Sequence, residues 1–264
     1  MISIITPCFN DGRFLHFPLE SVRAQTLSDY EHIIVNDGST DLETLKILEK
    51  INDPRVRVIN QSNTGLPGAR NTGIRAATGK YILPLDADDR IPPHALERLQ
   101  VELEENPEIT LVYGDYQLFG TSNRLIKTGN FNTYRILFAN YLPVCSMYRR
   151  TAWENVGGYT ETMKGFEDWE FWIKLVEKDY SFRKINDVLY YHHVHDANMW
   201  LRDRGKWRSL VAQIRQLHPR LFTPEHLMQQ RRANGVTWFE DIIYRLPAPL
   251  RYSLRELLSP RLIS

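Results

Sequence analysis

The chain has 264 residues, 42% of them hydrophobic and 25% charged, with a formal net charge of +1. These proportions belong to an ordinary globular protein and exclude disordered, collagenous and disulfide-scaffold classes. The small net charge conceals a division, because residues 1–199 carry net −6 and residues 200–264 net +7, so the last quarter presents a different surface.

The opening MISIITPCFN has no basic region ahead of its short apolar run, which reads as a first strand and not as a secretory signal. Further β-branched runs follow at HIIVN (32–36), VRVIN (56–60), YILPLD (81–86) and ITLVYGD (109–115). Segments with helical spacing separate them: FLHFPLESVRAQ, DLETLKILEKI, LPGARNTGIRAA and PPHALERLQVELEE. This alternation predicts an α/β fold with a mostly parallel, doubly wound sheet. Beyond about residue 116 the pattern loosens. FGTSNRLIKTGNFN reads as a loop, CSMYRR as an apolar run, GFEDWEFWIKLVEKD as the start of a helix, and SFRKIN with DVLYYHHVH as a strand pair ahead of a helical, arginine-rich tail. Cys8 and Cys145 form neither a CxxC nor a Cys/His spacing, which fits a reducing cytosol, and no apolar stretch is long enough to span a membrane.

Ligands of open α/β sheets bind beyond the carboxyl ends of the strands. Pro7 and Asn10, then Asp37, Gly38 and Ser39, then Asp86–Asp89 are therefore expected along one edge. In LDADD an extended backbone would send Asp86 and Asp88 to the same side, where two carboxylates repel unless a cation separates them. The competing reading is that Asp88 or Asp89 caps the next helix. Gly79-Lys80 is not part of a P-loop, since Ile74 stands where the first glycine would be, and there is no GxGxxG. NTGLPGARNTG, at residues 63–73, combines glycines with Arg70 ahead of a helix and suits either an anionic ligand or a tight structural loop. Glu167 and Asp168 open a helix whose dipole favours acids in their charged form, whether or not they act. His193 and His195 share one side of a strand, and His192 points to the other.

Taken together, ITPCFN, VNDGSTD, NTGLPGARNTGIRAATGKYILPLDADD, RRTAWENVGGYTE, GFEDWEFW and YYHHVH resemble the ordered motifs of glycosyltransferase family 2 over residues 1 to about 200. The resemblance implies a GT-A fold, with a Rossmann-like, mostly parallel central sheet flanked by helices, over 1–199 and a basic helical extension over 200–264. It implies inverting transfer of a sugar from a nucleoside diphosphate-sugar, UDP first, to a hydroxyl of a glycan or lipid-linked acceptor, assisted by Mn²⁺ or Mg²⁺. Matched residue by residue, the donor side would comprise Pro7, Asn10, Asp37, Asn63, Gly68, Arg70, Asn71, Asp86 and Ala87. Asp88 and His195 would hold the metal, and Asp168 would be the general base. Glu167 and Trp169 are the acceptor-side candidates, with Trp169, Phe171 and Trp172 available for sugar stacking, although helical spacing turns at least one of these rings inward. The family often has arginine where this chain has His193, which puts diphosphate contact there in question.

Two other classes stay open: a metal-dependent nucleotidyltransferase and a catalytically silent nucleotide-sugar-binding protein. The tail reads as a packing arm, a homodimer contact or a segment lying on the inner face of a membrane, and no nucleic-acid-binding module is present. The expectation is a cytoplasmic protein.

Overall fold

Seven consecutive buried residues, Ile2–Cys8, form strand β1, which therefore needs cover on both faces. In the computed structural model, which describes residues 1–195 and 206–246, helices supply that cover on the two sides of one sheet. Alternation along the strand divides the core. Ile5, with Ile33 and Val35, packs against Ala69 and Ile74 of one helix, whereas Ile2 and Ile4 pack against Leu96, Leu99 and Leu103 of another.

The strand order is β3-β2-β1-β4-β7-β5-β6, with β8 paired to β5. β1, β2 (Tyr30–Asp37), β3 (Val56–Gln61) and β4 (Tyr81–Pro84) run parallel. Helices α1 (His16–Arg23), α2 (Leu42–Glu49) and α3 (Leu66–Ala76) connect them. After α4 (Ala95–Glu105) the chain forms β5 (Ile109–Gly120) and then the short β6 (Leu125–Ile126). β7 (Met147–Arg149) inserts antiparallel between β4 and β5.

Three local expectations change. SFRKIN and DVLYYHHVH form one 14-residue strand, β8 (Ser181–Val194), parallel to β5, and register shifts along it absorb the polar Asn186-Asp187 step. The stretch read as a loop contains the end of β5 and β6, and the short helix α5 (Thr133–Ile136) follows directly after it. β4 stops at Pro84, and Asp86 to Asp89 form a turn closed by the Asp89 amide on the Asp86 carbonyl at 3.2 Å, so these acids do not alternate along a strand.

Helix α6 (Arg150–Val156) leads to α7 (Glu167–Glu177), eight of whose eleven residues are buried. Beyond residues 196–205, which include the expected 199/200 boundary, lie α8 (Trp207–Leu217), α9 (Pro224–Ala233) and α10 (Trp238–Arg245). Leu210, Val211, Ile214, Leu221 and Val236 join the same apolar cluster as Trp169 and Trp172. His218 reaches α7, with Nδ1 at 2.8 Å from Glu177 Oε2 and Nε2 at 3.1 Å from Glu170 Oε1. The described part of the extension is thus a packing arm, while residues 247–264 lie outside the described residues. Among the described residues, no helix is long and apolar enough to cross a membrane. Both cysteines are free and buried.

Candidate active site

The carboxyl ends of β1, β2 and β4 meet at one edge, and each contributes residues that fix the loops there. After β1, the Asn10 side-chain oxygen accepts from the Thr40 and Asp41 amides at 2.8 and 2.9 Å, tying this edge to the loop after β2. Pro7 is buried within β1 beside Val35. Asp37, at the end of β2, is buried, and its Oδ1 accepts from the Thr64 amide at 2.8 Å and from Gln61 Nε2 at 2.7 Å. Its Oδ2 accepts from the Gly65 amide at 2.9 Å. Asp37 therefore staples the 61–65 loop, on which Asn63 is exposed. Gly68 lets that loop approach α3 closely, because a Cβ there would lie 2.3 Å from Thr64 Oγ1.

Arg70 is 1% exposed and spans the floor of the site. Its Nη1 donates to Glu167 Oε1 at 2.6 Å and its Nη2 to Asp86 Oδ1 at 2.7 Å. One guanidinium thus joins the acidic turn after β4 to the first turn of α7, and it reaches carboxylates of the chain itself. Asn71 uses its full bonding capacity on α6 and on the segment between α6 and α7. Its amide nitrogen donates to the Tyr159 carbonyl and Glu161, and its oxygen accepts from the Tyr159 amide and Trp153 Nε1.

The acids of the opening motif separate by role. Asp86 is held by Arg70, and Ala87 is buried. Asp88 faces His195, with Oδ2 2.9 Å from Nε2. Asp89 is fully buried. It accepts from the His193 amide at 2.7 Å, lies 3.3 Å from His192 Nδ1, and is hydrogen-bonded by the Tyr190 hydroxyl. Neither Asp88 nor Asp89 caps α4, whose N-cap is His94 without a side-chain bond. Burial, reinforced by the charges of Asp89 and Asp86, pushes Asp88 up to about 8. Burial opposes a charge on His192, but the Asp89 carboxylate outweighs it and pushes the ring up to about 9.

Asp88, His193 and His195 each present a ligand atom, all within 4.8 Å of one another. Two ligands at right angles on an ion, each about 2.1 Å away, stand about 3 Å apart. The 2.9 Å between Asp88 Oδ2 and His195 Nε2 meets that spacing. Asp88 and His195 fit a divalent cation, and His193 stands beside them.

On the other side of Arg70, α7 opens from Phe166, a non-glycine residue at φ 57°. Asp168 is half-buried, its Oδ2 accepting from Asn140 Nδ2 at 2.9 Å and its Oδ1 from the Trp169 amide at 2.8 Å. Burial raises its pKa, against the opposing pull of Arg70 and of these donors. This direction is opposite to the expectation drawn from the helix dipole, because desolvation of a carboxylate outweighs a partial charge. Sequence reasoning missed Asn140, which has no motif around it and meets Asp168 only through the fold.

The acceptor-side candidates turn inward. Glu167 is 5% exposed against Arg70, and burial raises its pKa even in that contact. Trp169 is 2% exposed and donates Nε1 to the Ile136 carbonyl at 2.6 Å, so it offers no stacking face. Phe171 and Trp172 are likewise fully buried. Helix α7 has to fill the space between the sheet and the extension, and the large rings serve that need.

A sequence profile described as "Glycosyl transferase family 2" matches residues 3–166. The chain belongs to glycosyltransferase family 2. It is 33% identical to a chondroitin synthase of Escherichia coli and 29% identical to a hyaluronan synthase of Pasteurella multocida, over 75% and 78% of its own length. It spans only 29% and 22% of the length of those two proteins. An uncharacterized glycosyltransferase of Haemophilus influenzae is 31% identical over 72% of this chain and 67% of its own length. Among solved structures, residues 1–349 of S. aureus TarS in complex with UDP-GlcNAc match with a TM-score of 0.68 at 20% identity, over 93% of this chain and 81% of that one. The fold of this family member is accordingly GT-A.

Proposed function

We propose that this family 2 member transfers a sugar, with inversion, from a UDP-sugar or another nucleoside diphosphate-sugar to a hydroxyl of a glycan or lipid-linked acceptor. The observation that carries the reading is the pair of acidic centres on either side of Arg70: Asp88 beside two histidines, and Asp168 held by Asn140. Relatives named as polysaccharide synthases and a like-folded structure in complex with UDP-GlcNAc support the donor and acceptor classes.

On this reading Asp88 and His195 hold Mn²⁺ or Mg²⁺, and a bound divalent cation supplies Lewis-acid stabilisation of the leaving diphosphate. Asp168 takes the proton of the acceptor hydroxyl as that oxygen attacks the anomeric carbon. Its raised pKa strengthens it as a base, and such assistance is worth about 10²- to 10⁴-fold in rate. Asn140 keeps Asp168 Oδ2 oriented, and Arg70 holds the two centres in register through Asp86 and Glu167. Asp37, Asn10 and Gly68 act on the donor side by fixing the loops that would frame the nucleotide. The protein is read as acting in the cytoplasm, with surface glycan assembly as its setting.

The test is nucleoside diphosphate release from UDP-, dTDP- and GDP-sugars with mixed glycan and lipid acceptors, with Mn²⁺ or with EDTA. Turnover of one donor that Asp88→Ala and Asp168→Asn both abolish supports the assignment. Release of pyrophosphate points to a nucleotidyltransferase, and tight donor binding without turnover points to a silent binding protein. Either outcome overturns the base assignment.

A further inference from the structure

We propose that His193 is a third metal ligand beside Asp88 and His195, and that this set of two imidazoles and one carboxylate favours Mn²⁺, or a later first-row ion such as Co²⁺, over Mg²⁺. The inference rests on the reading above that Asp88 and His195 hold a divalent cation, and it adds the ion class and the residue that sets it.

Several features fix where His193 lies. Its backbone amide donates to Asp89 at 2.7 Å, so the acidic turn holds the end of β8 and not only the ion. Its ring stacks on Phe119 with centroids 4.6 Å apart and planes 13° apart, and the edges of Phe14 and Phe17 close on it at 5.2 and 5.1 Å. Gly120 makes room for the ring, since a Cβ there would lie 2.6 Å from His193 Cδ2 and 2.9 Å from Nε2. The packing brings this ring to 4.9 Å, centroid to centroid, from that of His195. An imidazole stacked on one ring and met edgewise by two others is pre-oriented, which lowers the entropy lost when it binds an ion.

The chemistry follows from the donor atoms. Mg²⁺ prefers a near-ideal octahedron of oxygens and gives up water reluctantly. Imidazole nitrogen suits the later first-row ions, whose affinities rise from Mn²⁺ through Co²⁺. With two nitrogens among three protein ligands, the balance moves away from Mg²⁺. The same substitution explains how the chain manages without a fixed positive charge at this position: the side chain contributes a lone pair to the ion instead of a cation to the diphosphate.

The test uses the 264-residue chain, with and without UDP and against a control of UDP alone. Mn²⁺ binding is followed by loss of its free-ion electron paramagnetic resonance signal, Mg²⁺ is the competitor, and Co²⁺ serves as an absorption probe of nitrogen ligation. Loss of an outer partner of a metal ligand already costs about 10- to 100-fold in affinity, so loss of a ligand should cost at least about tenfold. The unmodified protein should prefer Mn²⁺ to Mg²⁺ by about tenfold or more. His193→Ala and His193→Phe, the second of which keeps the ring packing, should each weaken Mn²⁺ about tenfold or more, and His193→Arg should not restore it. Wild-type affinities for Mn²⁺ and Mg²⁺ that agree within about twofold would overturn the proposal without any variant. Mn²⁺ binding that depends on Asp88 and His195 but not on His193 sinks this inference and leaves the metal reading standing. No Mn²⁺ binding in any arm sinks both.

Discussion

Replacing Arg70 with methionine removes a cation shared by Asp86 and Glu167 while keeping most of the side-chain volume. Arg70 is 1% exposed and Glu167 5%, with the two in contact at 2.6 Å. Removing one partner of a buried ion pair leaves the other charge uncompensated and destabilises by about 3–5 kcal/mol. Asp86 is better placed to recover, because its side chain is 27% exposed and water can replace part of the lost contact. The expected loss is therefore set by Glu167 alone, about 3 kcal/mol or somewhat more. Glu167→Gln in the Arg70→Met background should return part of it, because a neutral amide needs no counter-charge, and the two changes should couple by about 1–3 kcal/mol. Urea unfolding of the four proteins measures this directly, as a shift in midpoint at constant slope. A loss under about 1 kcal/mol, or strictly additive single and double variants, would show that Arg70 is not the element joining the acidic turn to α7.

The remaining predictions concern other atoms of the same fold. His32 is fully buried in β2 with Nε2 2.8 Å from Thr6 Oγ1, and burial pushes its pKa down to about 4. Its folded value lies below the unfolded one of about 6.5, so its contribution is complete above pH 6.5 and is lost as the pH falls to 4, by about 3 kcal/mol. His32→Asn should flatten that slope in stability-versus-pH curves. His218 has the opposite sign: burial opposes its charge, but bonds to Glu170 and Glu177 raise its pKa. That contribution is present below about pH 6.5 and lost as the pH rises through the folded value, so thermal melts of His218→Gln should lose part of the wild-type decline on the alkaline side. Asn140→Leu should lower kcat about 10- to 100-fold, the worth of one hydrogen bond to a charged group, while donor KM stays near its original value. The acid limb of the pH–rate profile should also move to higher pH, since the Asn140 bond is one of the influences holding the Asp168 pKa down.

The parallel half of the sheet was legible because its strands are short, β-branched and separated by helices of ordinary spacing. β2 and β3 begin and end within two residues of the apolar runs that mark them. The antiparallel half was not. β7 is three residues long and is held between β4 and β5, a long-range pairing with no local signal. The continuous β8 was hidden by Asn186 and Asp187, which favour turns locally but are carried here by shifts in pairing with β5. The described part of the extension is helical as read, but its docking on α7 uses apolar contacts and His218, whose partners Glu170 and Glu177 lie 48 and 41 residues away.

At the site, many of the motif residues gather at one end of the sheet, and several of them bond to the chain itself. Charge and spacing mark Arg70 as a ligand for an anion, and an anion is what it meets, but that anion is Glu167, 97 positions along the chain. Asp37 and Asn71 likewise turn hydrogen-bonding capacity that could face a ligand toward the loops beside them. Asp89, which looked like a helix cap, instead locks the His193 amide 104 residues away. The pattern is consistent: a residue type fixes what chemistry is available, and burial then divides the set into groups that hold the frame and groups that stay open to water. Asp88 and Asp168 keep partial exposure and raised pKa values, whereas Arg70, Glu167 and Asp89 are almost sealed from water. That division is energetic, because a carboxylate can be sealed in only when a donor is sealed in with it. The sealed acids are therefore the ones whose charge is met by donors buried with them, whereas Asp88 and Asp168, although each also meets a group of the fold, keep an edge open to water.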